Sequence, residues 1–296
     1  MSRTGAGRAQ RVLAALGLVG LLSACASAPQ PRSTPASPLL QRISATATGD
    51  FASSLEETDP ARLLTVAAEP LIGGGNQLIL NLVQQEPGVA ARRFRLALRQ
   101  TPDTAAYPLE GVFAPLDGDG RVVAECPLVV RTGAQGLSAS TEVESCRFGS
   151  GDEQIGLAKE LLFGGDQVRV ADRLVRGSGL EAETISLTEL RFYRLIQYTG
   201  WVGVREGEQW RIARDLRLDT ANDSIEPVDA AGMSLGLLIQ LDHVRMEDSG
   251  EPIVRLSVID AQEERTLGRA WSEPGAARIG LATPTIQVGL ERLGSR

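Results

Sequence analysis

Thirty side chains of this 296-residue chain are basic, and Lys159 alone among them is a lysine. An amine that forms a Schiff base with a carbonyl therefore has one candidate. His243 is likewise the one histidine. A Ser-His-Asp triad would have to bring it to a serine and a carboxylate from distant segments. Asp242 adjoins it, but successive residues of a strand face opposite ways. The catalytic residues are unknown. One histidine and three cysteines leave too few soft ligands for a metal centre, so neither metal nor cofactor is expected. Gly73-Gly74-Gly75 precedes a strand rather than a helix and lacks the helix N-terminus of a phosphate cradle.

Two arginines are the candidate ligand-binding residues. Arg93 and Arg95 share one face of an alternating run, opposite Phe94, Leu96 and Leu98. Inside a barrel their guanidinium groups would bind a carboxylate or propionate in a bidentate manner. The competing reading is a solvated outer face with Glu partners on neighbouring strands. The run Glu183, Glu189, Arg191, Tyr193, Arg194 and Tyr198 fits a polar cavity and a paired exposed face equally well. Trp201 and Trp210 flank glycines and charges, as a hairpin whose tryptophans cover the core or as a carbohydrate-stacking platform.

In the segments that carry these side chains, the pattern from Gln77 onward is short, alternating and broken by Gly, Pro and Asp, which is the signature of strands. Leu78, Leu80 and Leu82 share a face. Further strands are expected over 107–116, 121–130, 137–148, 155–163, 167–175 and 185–204, with a tight turn at Gly164-Gly165-Asp166. In the last third, Met233 to Leu241 alternates cleanly before Val244 and Met246 take the other parity, predicting a bulge near Asp242-His243. Val254, Leu256 and Val258, then Ile286, Val288 and Leu290, form later inward faces. A single helix is expected, over Leu55 to Ala68, opened by Asp59-Pro60 and stopped by Pro70. The class is all-β, for which barrels and sandwiches both avoid open edges.

The N-terminus reads as an address. Arg3, Arg8 and Arg11 precede an apolar stretch, Val12 to Leu22, too short for a permanent membrane span. It ends Leu22-Ser23-Ala24-Cys25, which resembles the bacterial lipobox. That resemblance implies cleavage after residue 24, lipidation of Cys25 and an anchor in the membrane. Ala26 and Ser27, with no aspartate, favour the outer membrane, facing the periplasm. Residues 25–44, rich in Pro, Ser and Ala, are expected to be a tether. In such an oxidising compartment Cys126 and Cys146 are expected to pair as a disulfide, two buried free thiols being the alternative. The formal charge of −7 with no basic run excludes a nucleic-acid partner of the usual kind, since phosphate binding needs clustered Lys and Arg.

The order of several motifs resembles the CpcT/CpeT family of bilin chromophore lyases. It begins with Thr48-Gly49-Asp50-Phe51-Ala52-Ser53 and Glu69-Pro70-Leu71, and continues through the strand from Gln77 to Gln84 and Arg93-Phe94-Arg95. Cys126, then Gly136-Leu137-Ser138-Ala139-Ser140-Thr141 and Cys146 follow, and the resemblance closes near Phe192-Tyr193-Arg194. It covers about residues 48–194. It implies a calyx-like antiparallel β-barrel and, as an activity, lyase chemistry on a tetrapyrrole. Arg92 stands where the family has a tyrosine and Gln77 where it has a tryptophan, so two aromatic groups that would stack on a tetrapyrrole are missing. The expected organisation is a signal peptide over 1–24, a tether over 25–44, a barrel over 45–196 and a C-terminal β domain or extension over 197–296. The expected function is a lipid-anchored periplasmic protein whose barrel holds a small apolar or amphipathic ligand or an envelope protein partner. A chromophore lyase-like enzyme is the alternative.

Overall fold

The chain alternates apolar and polar residues over short runs, and a computed structural model shows most of them as strands, the run expected over 137–148 being interrupted by a 3-10 turn at Val143–Ser145. It describes residues 37–53, 61–70, 75–101, 108–133, 136–149, 154–177 and 183–294, all in one compact unit. The signal segment, Cys25, most of the tether, Gly73 and Gly74 lie outside the described residues.

Eleven strands form the first sheet: β1 (Gly49–Ser53), β2 (Leu63–Ala68), β3 (Gln77–Glu86), β4 (Val89–Gln100), β5 (Leu109–Leu116), β6 (Cys126–Gly133), β7 (Gly136–Ser140), β8 (Arg147–Phe148), β9 (Ile155–Gly164), β10 (Gln167–Arg176) and β11 (Glu183–Arg194). Each pairs antiparallel with its neighbours, β11 pairs with both β10 and β1, and β9 with both β7 and β10. Ten strands thereby close into a barrel, with the two-residue β8 as an appendage on β9. Register follows from the apolar alternation: Leu78 faces Leu98, Leu80 faces Leu96 and Leu82 faces Phe94. A slip of one residue would turn that row of side chains out to solvent. The β9–β10 hairpin turns at Gly165-Asp166, where Gly165 takes a positive φ of 50°.

One end of the barrel is plugged by α1 (Pro38–Ala47). Its last turns bury Ile43 and Ala47 and its first buries Leu40, all in the same core as Leu78, Leu98, Phe163 and Val168. The stretch expected to be tether is therefore helical from residue 38. Ser37 caps the helix by accepting from the Leu40 N–H at 3.4 Å, and Pro38 opens it with a φ already suited to a first turn. Arg194 fastens the other end. It donates to the carbonyls of Thr46, Thr48 and Gly165 at 2.8–2.9 Å while its guanidinium lies 4.7 Å from the Phe51 ring centre.

A second core begins at Ile196. Eight strands enclose it: β12 (Gln197–Glu206), β13 (Gln209–Asp219), β14 (Ala221–Ile225), β15 (Leu237–Arg245), β16 (Pro252–Asp260), β17 (Thr266–Ser272), β18 (Arg278–Ala282) and β19 (Ile286–Arg292). They form two four-stranded sheets, ordered β13-β12-β19-β18 and β14-β15-β16-β17. Val202, Val288 and Leu290 from the first face Ile239, Leu241, Val254 and Leu256 from the second.

Several local expectations are corrected. The helix expected to run to Ala68 is strand β2 over Leu63–Ala68. There Leu64 and Val66 are buried while Thr65 and Ala67 are exposed, a period of two that pairing with β1 and β3 rewards. The single run over 185–204 is two strands, broken at Leu195-Ile196 where the chain leaves one core for the other. The bulge lies in β14 rather than β15, since Ala221 pairs Asp242 and Ser224 pairs Gln240 while β15 keeps unbroken register with β16. Both faces of β15 are covered there, which is why Leu241 to Val244 are all buried and the parity of apolar residues changes without an extra residue.

Candidate functional site

Inward positions alternate along every barrel strand, so the lumen's lining is fixed by register. Toward the end with α1 the inward residues are leucines and phenylalanines that fill it. At the opposite end they change character. Gln84 and Arg92 continue the inward rows of β3 and β4, Lys159 that of β9, Asp172 that of β10, and Ser186 and Thr188 that of β11. Together with Arg62, Phe94, Leu157, Val170, Leu174 and Leu190 they line a cavity of about 340 Å³.

At the base of this cavity Lys159 is buried and its Nζ donates to Asp172 Oδ1 at 2.5 Å. The ammonium also sits 5.0 Å from the Phe94 ring centre and 5.1 Å from that of Phe113, two rings that stack at 5.4 Å. Such faces attract a cation electrostatically. Burial nonetheless holds the lysine pKa below its ordinary value, opposed by Asp172 and reinforced by the nearby positive charge of Arg92. Arg62 is matched by Glu86 at 3.1 Å. Arg92, exposed at the mouth, makes no hydrogen bond or ion pair among the described residues, and its charge is the one left over.

The candidate arginines of the sequence lie elsewhere. Arg93 and Arg95 occupy the opposite face of β4 from Phe94, Leu96 and Leu98, and their pairing partners Val83, Asn81, Leu116 and Ala114 alternate outward with them. Assigning a ligand carboxylate to them required a lumenal position that neither has. The reason is parity: the apolar set claims the interior, and the residue sharing that set's parity is Arg92. In the sequence Arg92 stands out for the tyrosine it replaces rather than for its place in the alternation.

The other singled-out residues resolve as follows. Cys126 and Cys146 form a disulfide with sulfurs 2.07 Å apart, buried in the barrel core. His243 is buried, its Nε2–H donating to the Arg194 carbonyl at 3.2 Å and its ring stacking on Tyr193 at 5.2 Å. It joins the two cores, and among the described residues no hydrogen bond connects it to a serine. Asp242 is held by a bidentate pair with Arg255, at 3.1 and 2.5 Å. Glu189 pairs on the outer surface with Arg169 and Arg191. Trp201 and Trp210 do not cover a core. They are more than one-third exposed on the outer face of the β12–β13 hairpin, because the inward parity belongs to Val202 and Val204. Among the described residues no three His, Cys, Asp or Glu side chains gather as metal ligands would.

With that geometry in place, the comparisons add nothing to it: no family model, no curated protein and no solved structure matches the chain.

Proposed function

We propose that the protein is a lipid-anchored envelope protein whose barrel is a calyx for a small amphipathic ligand. The observation that carries this reading is the lumen: α1 docks on a core of leucines and phenylalanines at one end, while the other end keeps a cavity of about 340 Å³ lined by both apolar and polar side chains. That volume lies at the small end of the range for small-molecule sites, roughly 300–1,000 Å³. A barrel built for structure alone would fill both ends with side chains, as small barrels do. The anchor is the part that rests on sequence, through the resemblance of Leu22 to Cys25 to a lipobox. A protein partner is the competing occupant of the rim.

The test is native mass spectrometry of the chain from Ser27 onward, exported to an oxidising compartment with a cleavable non-lipid signal. It retains every described residue. Extra mass that disappears on denaturation supports the calyx; a clean apo mass that takes up no added amphiphile removes it. Lipidation is checked separately, by intact mass of the membrane-extracted protein and its loss in Cys25→Ser.

A further inference from the structure

Resting on the calyx reading, we infer that the ligand is a monocarboxylate with an apolar tail, and that Arg92 at the cavity mouth holds its carboxylate. The charges within the lumen make the case. Three cations, Arg62, Arg92 and Lys159, line the cavity against one carboxylate, Asp172. Glu86 neutralises Arg62 and Asp172 neutralises Lys159, and among the described residues the Arg92 guanidinium has no counter-ion.

The neighbours of Arg92 suit a carboxylate. Gln84 is its direct partner across β3 and β4 and offers an amide N–H₂, and the Ser186 and Thr188 hydroxyls line the same cavity. A planar guanidinium pairs with a carboxylate through two parallel hydrogen bonds. The same cavity also presents apolar side chains, Leu157 and Leu174 in the row of Ser186, and Val170 and Leu190 one row below the Lys159–Asp172 pair, with Phe94 beside Lys159, where a hydrocarbon tail loses water contact. Charge number then separates the anions. One free guanidinium balances a monoanion, whereas the second charge of a phosphate monoester would find no further unpaired cation among the described residues that line the cavity.

Equilibrium dialysis with decanoate and with 1-decanol at pH 7.5 tests this, since the two share a tail and differ in the head. The unmodified site is expected to bind decanoate at least tenfold more tightly than decanol. Arg92→Gln should abolish that preference while leaving decanol binding within twofold, and Arg93→Gln, on the outer face, should leave both unchanged. Equal binding of the two probes, or a preference that survives Arg92→Gln, overturns the inference and leaves the calyx standing. Binding of neither probe overturns both.

Discussion

Lys159 shows how one residue type in one environment sets local energetics. Its ammonium is removed from water and held by Asp172 and two aromatic faces, so the pair is a desolvated ion pair rather than a surface bridge. Asp172→Ala strands the ammonium and is expected to destabilise the protein by about 2–4 kcal/mol, the lower part of this range reflecting the partial exposure of Asp172. Replacing both, as Lys159→Met with Asp172→Leu, should recover most of that loss, because no buried charge remains. Urea unfolding of the three proteins checks the order. A double variant no more stable than Asp172→Ala would mean that the cost lies in packing.

Among the elements, α1 depends on Arg194. Ten residues are too few for a helix to persist on its own in water, so its stability comes from docking Leu40, Ile43 and Ala47 and from the bonds of Arg194 to Thr46 and Thr48. Arg194→Met should raise hydrogen exchange across 38–47 by tenfold or more while leaving β3 and β4 protected; uniform protection would show that apolar docking suffices. The disulfide acts on a different link, since it closes a loop of 20 residues between β6 and β8. Cys126→Ala with Cys146→Ala is expected to cost about 3 kcal/mol through the freed unfolded chain. Denaturant midpoints of oxidised, reduced and doubly substituted protein measure it, and equal midpoints would contradict it.

At the scale of the whole molecule, two cores meet at His243, and pH acts there. Burial lowers its pKa from 6.5 to about 4, opposed by the bond to the Arg194 carbonyl. Below pH 6.5 the unfolded chain takes up a proton that the folded chain refuses. Stability from this group is therefore complete above pH 6.5 and is lost as pH falls toward 4, by something on the order of 3 kcal/mol. His243→Gln should lose that part of the pH dependence, and urea midpoints at pH 7 and pH 4.5 for both proteins decide it. A slope unchanged by the substitution would assign it to carboxylates instead.

Alternation alone determined much of this protein: the all-β class, the inward leucines of β3, the hairpin at Gly165 and the inward faces of β16 and β19 follow from a period of two. Cysteine count and the expectation of an oxidising compartment pointed to Cys126 and Cys146. The start of α1 was also legible, in Ser37-Pro38 and the spacing of Leu40, Ile43 and Ala47, but the prolines upstream masked it. Local pattern could not decide β2, because Leu63–Ala68 becomes a strand only when β1 and β3 lie on either side to take its hydrogen bonds. Nor could it choose barrel over sandwich, since strands in both alternate identically and closure is the single pairing of β1 with β11 across more than a hundred residues. The lumen's charge was decided by the tertiary structure for the same reason. Arg62, Arg92 and the Lys159–Asp172 hairpin pair lie far apart in the chain, and only the register of closed strands aims them into one space.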